Sequence, residues 1–325
     1  MHRRAHIASL ASVLLAGTSI GKAFAQSPFP SKPIRFYIGF PPGQATDTVA
    51  RMIGERMTQK LGQPIIIENK PGQGGSSVMT YLTQQPADGY AVTLSATGAV
   101  VTNLYLQKNL PYGLDDFQPI SLIGDLPLML VARPGLPFTD LRGMLEFAKA
   151  NPGKLSYASP GNGTTAHLTM ESIKKESGAK IVHIPYQGSV RAIADLMGGV
   201  TDIAFDTMPV TIPQVQAGKL KLLAVGHRKR LAEFPTVPTV AESGFPNVTA
   251  SVWIGMLGPK NMPPAVVTTL NQSLTEVLNE PDLARKLESL GLFVRTLPPT
   301  EFAAFLKAEA PRWKQVVANS GATVD

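Results

Sequence analysis

Apolar runs and amphipathic, helix-like patterns alternate along almost the whole chain. The first apolar run is followed by a helical pattern that Gly62 closes, and the next run is too continuously apolar to have a solvent-exposed face. Buried strands of this kind are typical of parallel sheets. The order predicts an α/β fold with a doubly wound, mostly parallel sheet and flanking helices. The predicted elements of this first series are strand 33–40, helix 46–61, strand 64–69, helix 76–85 and strand 90–96.

A second series of the same kind begins after the apolar run at 122–135. Two successive α/β units, between which the chain passes twice, predict a two-lobed protein with a central cleft. We expect residues 26–125 and 250–325 to form lobe 1 and residues 126–249 to form lobe 2. After 122–135 the predicted elements are helix 139–150, strand 154–159, helix 164–177, strand 180–186, helix 188–198, strand 202–206, helix 209–217, strand 219–226, strand 250–259, helix 263–278, helix 281–290, strand 292–297 and helix 299–319.

The composition is that of a globular protein. Apolar residues make up 44% of the chain and charged residues 16%, which argues against disorder. The net charge is +7, and removal of residues 1–25, which hold three basic residues and no acidic one, would lower it to +4. The other basic residues cluster only at 227–230, without aromatic residues beside them, so we expect no nucleic-acid partner. The chain has no cysteine, which excludes disulfides and thiolate chemistry.

The N-terminus has the three parts of a cleaved signal peptide. Residues 1–4 are basic, residues 7–20 form an apolar core, and 23–25 form a small-x-small cleavage site. The core is shorter than the roughly 20 residues that a membrane-spanning helix needs. We therefore predict cleavage between Ala25 and Gln26 and export to the periplasm, by either the general or the twin-arginine route.

Four groups of loop residues, where strands lead into helices, carry the candidate chemistry. In open α/β sheets the ligand crevice lies at the carboxyl ends of strands, where such loops lie. These loops are rich in Gly, Ser, Thr and Asn and poor in Lys and Arg, so we expect them to bind an anion through backbone N–H groups, hydroxyls and helix N-termini. The candidate ligand-binding residues are Phe40, Pro41, Pro42, Gly43, Gln44, Thr46, Asp47, Ser95, Thr97, Gly98, Ser159, Gly161, Asn162, Gly163, Thr164, His167, Tyr186, Gly188 and Asp206.

Several of these residues also have an ordinary structural interpretation. Thr164 fits the N-cap of a helix, and Asp47 fits a charge that complements a helix dipole. Tyr186 could be a strand-end aromatic residue, and His167 and His183 could be interior histidines with satisfied ring nitrogens. The coincidence of several loops of one chemistry at the same ends of their strands favours a binding site.

Motifs that would indicate catalysis are incomplete or missing. Residues 161–166 match the G-x-G-x-x-A pattern of dinucleotide sites, but the next strand, 180–186, ends without the acidic residue that would bind the ribose hydroxyls. The chain lacks a G-x-S-x-G elbow, a P-loop and an H-E-x-x-H motif. The histidines beyond the predicted signal peptide are widely spaced. We expect no enzymatic activity, no metal site and no cofactor, while a secreted hydrolase with dispersed catalytic residues stays open as an alternative.

A series of segments resembles one protein family, the Bug family, which comprises the substrate-binding proteins of tripartite tricarboxylate transporters. The segments are KPIRFYIGFPPGQATDTVAR, LGQPIIIENKPGQGG, ASPGNGTTAHL, HIPYQGSVRAIADLMGG and FPTVPTVAESGFP. The resemblance implies a periplasmic "Venus flytrap" protein that binds a small organic acid, such as a dicarboxylate, a citrate-like acid, an aromatic acid or an amino acid. It implies that backbone and hydroxyl donors of the loops hold the carboxylates, and that membrane permease subunits are the partners. We expect a monomer, and a sensory protein that presents the acid to a membrane kinase is the alternative.

The chain departs from the family pattern at several positions. Gln44 stands where the family usually has a second glycine, Pro160 where a small residue is usual, and Arg191 where proline is common. A side-chain amide at residue 44 adds two donors and an acceptor to a wall otherwise made of backbone. We predict that Gln44 helps to select the ligand if it points into the cleft. The alternative is that it points to solvent.

Overall fold

The computed structural model describes residues 29–248 and 250–322, so the predicted signal peptide and its cleavage position lie outside it. No helix within these two ranges has both the length and the apolar character needed to cross a membrane. The α-helices are α1 (Ala45–Leu61), α2 (Ser76–Thr83), α3 (Asn103–Leu106), α4 (Leu141–Ala150), α5 (Thr165–Ser177), α6 (Ser189–Met197), α7 (Met208–Gln216), α8 (Pro264–Leu278), α9 (Pro281–Ser289) and α10 (Pro299–Ser320). The strands are β1 (Ile34–Ile38), β2 (Ile65–Asn69), β3 (Ala91–Ala96), β4 (Phe117–Ala132), β5 (Ser156–Ser159), β6 (Val182–Pro185), β7 (Ile203–Thr207), β8 (Lys221–Val225), β9 (Ser251–Pro259) and β10 (Phe293–Leu297).

The predicted helices and strands are confirmed, and their ends agree within about two residues, except in two segments. The predicted loop at 95–103 becomes helical at Gly98, where the π-helical turn Gly98–Thr102 leads directly into α3. Strand β4 begins at Phe117, earlier than the apolar run at 122–135 indicated, because its first residues pair with β9. In both segments tertiary contacts override local propensity.

The strands form connected ladders in the order β2-β1-β3-β9-β4-β7-β5-β6, and β8 and β10 also pair with β4. Strand β1 is parallel to β2 and β3, and β5 is parallel to β6 and β7. Every pair that involves β4 or β9 is antiparallel within the described residues. The sheets are therefore mixed, and the parallel strands are those that lead into helices through the predicted binding loops.

The ladders form two sheets, and strand β4 is long enough to belong to both. Its residues 117–127 pair with β9, whereas its residues 128–132 pair with β7 and β8. Below, lobe 1 is the part built on β1, β2, β3, β9, β10 and the first part of β4, and lobe 2 is the part built on β5 to β8 and the last part of β4. The predicted limit at 125/126 falls inside this strand, and the limits of the lobes in residues stay a prediction.

Helices cover both faces of each sheet. All six residues of β3 are buried, because α1 and α8 pack on one face of its sheet and α2 and α10 pack on the other. In lobe 2, Tyr157 and Phe205 pack with α4 and α5, while Ala158 and Ala204 pack with α6 and α7. Burial on both faces explains the continuously apolar strands. It leaves the carboxyl ends of the strands as the place where polar groups of the two lobes meet.

Candidate ligand-binding site

A small cavity of about 40 Å³ lies between the two lobes at the carboxyl ends of their strands. This exceeds the roughly 10–15 Å³ that one water molecule requires, so the space can hold a small polar group. We name it the inner cavity. It is lined by Phe40, Gln44, Ala45, Thr46, Ala96, Gly98 and Val252 of lobe 1, by Pro160, Thr164, Thr165, Ala166, Asp206 and Thr207 of lobe 2, and by Leu126 and Leu128 of the shared strand β4.

A larger groove of about 760 Å³ adjoins the inner cavity, and Phe40 and Pro160 line both. We name it the outer groove. It is lined by Gly39, Phe40, Pro41, Pro71, Gly72, Gln73, Gly74, Gly75, Gln107, Lys108, Asn109, Pro160, Gly161, Asn162, Pro185, Tyr186 and Gln187. Phe40 and Pro160 therefore lie at the boundary between the two spaces.

Three side-chain atoms at the inner cavity are buried without a hydrogen-bond partner. They are Thr46 Oγ1, Thr165 Oγ1 and Asp206 Oδ2. The side chains are at most 5% exposed. An unsatisfied buried polar group costs about 1–3 kcal/mol, and native structures normally provide each one with a partner. The inner cavity is thus suited to a polar group that can bond to all three atoms.

Four helical segments begin at the inner cavity. The first residues of α1, of the Gly98–Thr102 turn and of α5 line it, and so does Thr207, the N-cap residue of α7. The N–H groups of a first helical turn have no intrahelical acceptor and carry a partial positive charge. Among the described residues, no lysine or arginine lines the inner cavity. The arrangement favours an anion held by backbone N–H groups and hydroxyls.

Asp206 is the one ionisable group in the lining of the inner cavity. Its Oδ1 accepts hydrogen bonds from Ser189 Oγ at 2.8 Å and from the Thr207 backbone N–H at 2.7 Å. Burial raises the pKa of the Asp206 carboxyl to about 7, although these hydrogen bonds act in the opposite direction. Near neutral pH both protonation states of Asp206 are therefore populated.

Asp47, a predicted ligand contact, holds the loop that follows β1. It is buried and accepts hydrogen bonds from the Gly43 N–H at 2.8 Å, from Arg51 at 2.9 Å and from Asn69 Nδ2 at 2.9 Å. Burial alone would raise the pKa of Asp47, but the hydrogen bonds from Arg51, Gly43 and Asn69 outweigh it and lower the pKa. Gly43 has φ = +84°, a conformation that favours glycine. The loop is therefore rigid before any ligand binds.

The loop after β5 is also supported from within the protein, in this case by stacked side-chain rings. The ring centroids of His167 and His183 lie 4.2 Å apart, and those of Tyr157 and His183 lie 4.5 Å apart. His183 Nε2 lies 2.7 Å from Ser159 Oγ, and His167 Nδ1 accepts from the Gly163 N–H at 3.2 Å. Burial lowers the pKa of His167 to about 4 and that of His183 to about 3, so both are neutral at pH 7. These contacts match the interior role that the sequence left open for both histidines.

Two other predicted contacts use their hydroxyls inside the protein. Thr164 is the N-cap of α5: its Oγ1 accepts from the His167 N–H at 3.4 Å and donates to the Gly161 carbonyl at 2.8 Å. Thr97 Oγ1 accepts from the Trp253 N–H at 2.9 Å. The free hydroxyl at the start of α5 belongs to the next residue, Thr165, which sequence reasoning missed. Its position immediately after a predicted N-cap was the signal that could have identified it.

The structure thus divides the predicted site residues into three groups. The inner cavity collects Phe40, Gln44, Thr46, Gly98, Thr164 and Asp206, and the outer groove collects Phe40, Pro41, Gly161, Asn162 and Tyr186. The remainder line neither space: Pro42, Gly43, Asp47, Ser95, Thr97, Ser159, Gly163, His167 and Gly188. A direct ligand role for the members of this last group stays a prediction. Sequence reasoning did not single out Gln73 and Gln107, which add side-chain amides to the outer groove.

Gln44 forms a direct hydrogen bond between the lobes. Its Oε1 accepts from the backbone N–H of Ser189, the first residue of α6, at 3.1 Å, and the residue is only 7% exposed. Gly188 makes this approach possible: a Cβ there would lie 2.8 Å from Pro41 Cδ and 2.9 Å from Gln44 Oε1. The side chain therefore does not point to solvent. Its oxygen joins the lobes, and a role in ligand selection stays a prediction.

Comparisons with known proteins agree with this geometry. The family model described as "Tripartite tricarboxylate transporter family receptor" matches residues 49–322. Protein BugT of Bordetella pertussis is 34% identical over 312 residues, which cover 95% of this chain and 96% of BugT. The solved structure of R. palustris Rpa4515 with adipate is 30% identical, with a TM-score of 0.88 over 91% of this chain and 100% of that one. The structure of MatC from Rhodopseudomonas palustris with bound malate is 28% identical, with a TM-score of 0.82 over 89% of this chain and 100% of that one.

Replacing Gln44 by methionine should loosen the closed arrangement in the absence of ligand. Methionine has a similar volume but cannot accept a hydrogen bond of comparable strength from Ser189. We expect a larger radius of gyration for ligand-free Gln44→Met than for the parent in small-angle scattering. Gln59→Met, at an exposed position of the same helix, is the control and should match the parent.

The same pair of variants separates an interlobe role from ligand selection. Loss of one neutral hydrogen bond, about 0.5–1.5 kcal/mol, should weaken the binding of every acid by the same factor of about two to ten. A changed order of preference among acids would instead show that Gln44 contacts the ligand.

Proposed function

Because the chain belongs to the family of tripartite tricarboxylate transporter receptors, we propose that it captures a small carboxylate between its two lobes and delivers it to the membrane permease subunits of such a transporter. The family consists of periplasmic solute-binding proteins rather than enzymes. We further propose that this protein acts in the periplasm as a monomer, after cleavage between Ala25 and Gln26.

The observation that carries the proposal is the set of unpartnered polar atoms at the inner cavity. Thr46 Oγ1 comes from lobe 1 and Thr165 Oγ1 from lobe 2, and each is a free donor beside the N-terminus of its own helix. One carboxylate can accept from both hydroxyls and from first-turn N–H groups at once. The ligands in the related structures, adipate and malate, are both dicarboxylates. In our proposal the inner cavity holds one carboxylate and the outer groove holds the rest of the acid.

Binding of such an acid couples to closure of the cleft. A ligand that bonds to both lobes stabilises the closed arrangement relative to any arrangement in which the lobes are apart. The loops that present the donors are already rigid, because Asp47 fixes one and the His167–His183 stack supports the other. Preorganised donors reduce the entropy that is lost on binding.

A panel of acids tests the proposed function. The panel contains succinate, malate, adipate, citrate, benzoate and aspartate. We expect at least one acid to raise the Tm, since an acid at a hundredfold excess over its Kd adds about 2.7 kcal/mol to the free energy of unfolding. The same acid should decrease the radius of gyration in scattering. Absence of any stabilising acid, or stabilisation without compaction, would contradict capture between closing lobes.

Substituting valine for Thr46 or for Thr165 tests the two free donors. Each change removes one hydrogen bond to a charged group, about 1.5–3 kcal/mol, so calorimetric titration should show binding about 10- to 100-fold weaker. The ligand-free protein should not lose stability, because the hydroxyl that is removed has no partner there.

Thr201→Val is the matched control for these two variants. Thr201 Oγ1 is also buried without a partner, but it precedes β7 and lies away from the end of that strand where Asp206 lines the inner cavity. Its removal should leave affinity unchanged. Equal loss of affinity in all three variants would show a general effect of the substitution rather than loss of ligand donors.

A further inference from the structure

Asp206 is an unusual group to find beside an anion site. It is 1% exposed, and its Oδ2 has no hydrogen-bond partner, whereas its Oδ1 has donors from Ser189 and Thr207. The inference drawn here rests on the proposed function, because it concerns how the same site receives its carboxylate.

No charged neighbour neutralises Asp206. The charged or titratable groups on the elements packed against it do not line the inner cavity, and α7 carries none. These groups are Asp47, Arg51, Glu55, Arg56 and Lys60 of α1, Arg191 and Asp195 of α6, Tyr157 of β5, Asp125 of β4, and His167, Glu171, Lys174, Lys175 and Glu176 of α5. Asp47 pairs with Arg51, and Asp125 pairs with Arg295. An ionised ligand would therefore face an ionised Asp206 without a cation between them, which favours protonation of one of the two.

The surroundings of Asp206 do not favour a cationic group of the ligand as its partner. Helices α1, α5 and α7 begin at the inner cavity, and the positive ends of their dipoles disfavour an ammonium group there. A protonated Asp206, in contrast, adds a third hydroxyl-type donor to those of Thr46 and Thr165. Three such donors suit a carboxylate without an adjacent amino group.

We propose that Asp206 is protonated in the complex and donates a hydrogen bond from Oδ2 to the ligand carboxylate, so that binding takes up one proton wherever the ligand-free protein carries Asp206 ionised. The proton comes from solvent, and no covalent bond of the ligand changes. The ligand class that follows is a small carboxylic acid whose buried end carries no ammonium group.

The pH dependence follows from the pKa of about 7 for Asp206 in the ligand-free protein. Below this pH Asp206 is already protonated, so binding takes up no proton and affinity does not change with pH. Above it each complex requires one proton, so affinity falls by about tenfold per pH unit. The carboxyls of a typical dicarboxylic acid are ionised over the whole range from pH 6 to pH 9.

Calorimetric titration from pH 6 to pH 9 tests the proposal, using the panel acid that stabilises the protein most. Two buffers of different ionisation enthalpy at each pH report the protons taken up. We expect uptake close to zero at pH 6 and close to one at pH 9, with affinity about tenfold lower at pH 8 than at pH 6.

Asp206→Asn separates the proton from the shape of the side chain. Its amide oxygen can accept from Ser189 and Thr207 while its NH₂ group donates to the ligand, as the protonated acid would. We expect its affinity to be independent of pH up to 9 and its binding to take up no proton. Asp115→Asn, at an exposed position away from the site, should keep the pH dependence of the parent.

The outcomes separate this inference from the proposed function. Binding that is independent of pH and takes up no proton would overturn the role of Asp206 and leave carboxylate capture intact. Failure of every panel acid to bind at any pH would contradict both the role of Asp206 and the proposed capture of a carboxylate.

Discussion

Backbone N–H groups at the start of a helix have no acceptor within the helix. The proposed binding site of this protein depends on these unpaired donors. Four helical segments begin at the space between the lobes, where no lysine or arginine side chain is present among the lining residues. The parallel strands before these helices bring their carboxyl ends together, so the unpaired donors converge. In the proposed function, an anion between the lobes accepts hydrogen bonds from donors of both.

The internal contacts of the two main loops explain why these donors stay in place. Asp47 bonds to Gly43, Arg51 and Asn69, and the stack of His167 on His183 supports the loop after β5. The side chains that hold these loops are therefore different from those of Thr46, Thr165 and Asp206, which each have a buried polar atom without a partner. Strand β4 passes through both sheets, so the two lobes share a strand as well as a cleft. The bond from Ser189 to Gln44 adds a ligand-independent contact between them.

Much of this arrangement follows from the sequence, and the remainder has identifiable physical causes. Apolar periodicity predicted most helices and strands, because both sheets are buried on two faces. The Gly98–Thr102 turn was missed, since β-branched residues favour strands in isolation and only packing makes this segment helical. Thr164 and Thr165 are adjacent in sequence, yet only the first caps the helix, because an N-cap residue has extended φ and ψ angles that turn its hydroxyl toward the first-turn N–H groups, whereas Thr165 is already helical. The contact of Gln44 with Ser189 spans 145 residues, and no local pattern predicts it.

The central claim is that a carboxylate bridges the two lobes in the inner cavity. A crystal structure of the protein with an acid that stabilises it tests this most directly. We predict one carboxylate with its oxygens within about 3.2 Å of both Thr46 Oγ1 and Thr165 Oγ1. The rest of the acid should extend toward the outer groove. An acid bound only in the outer groove, with both hydroxyls still lacking a ligand contact, would contradict it.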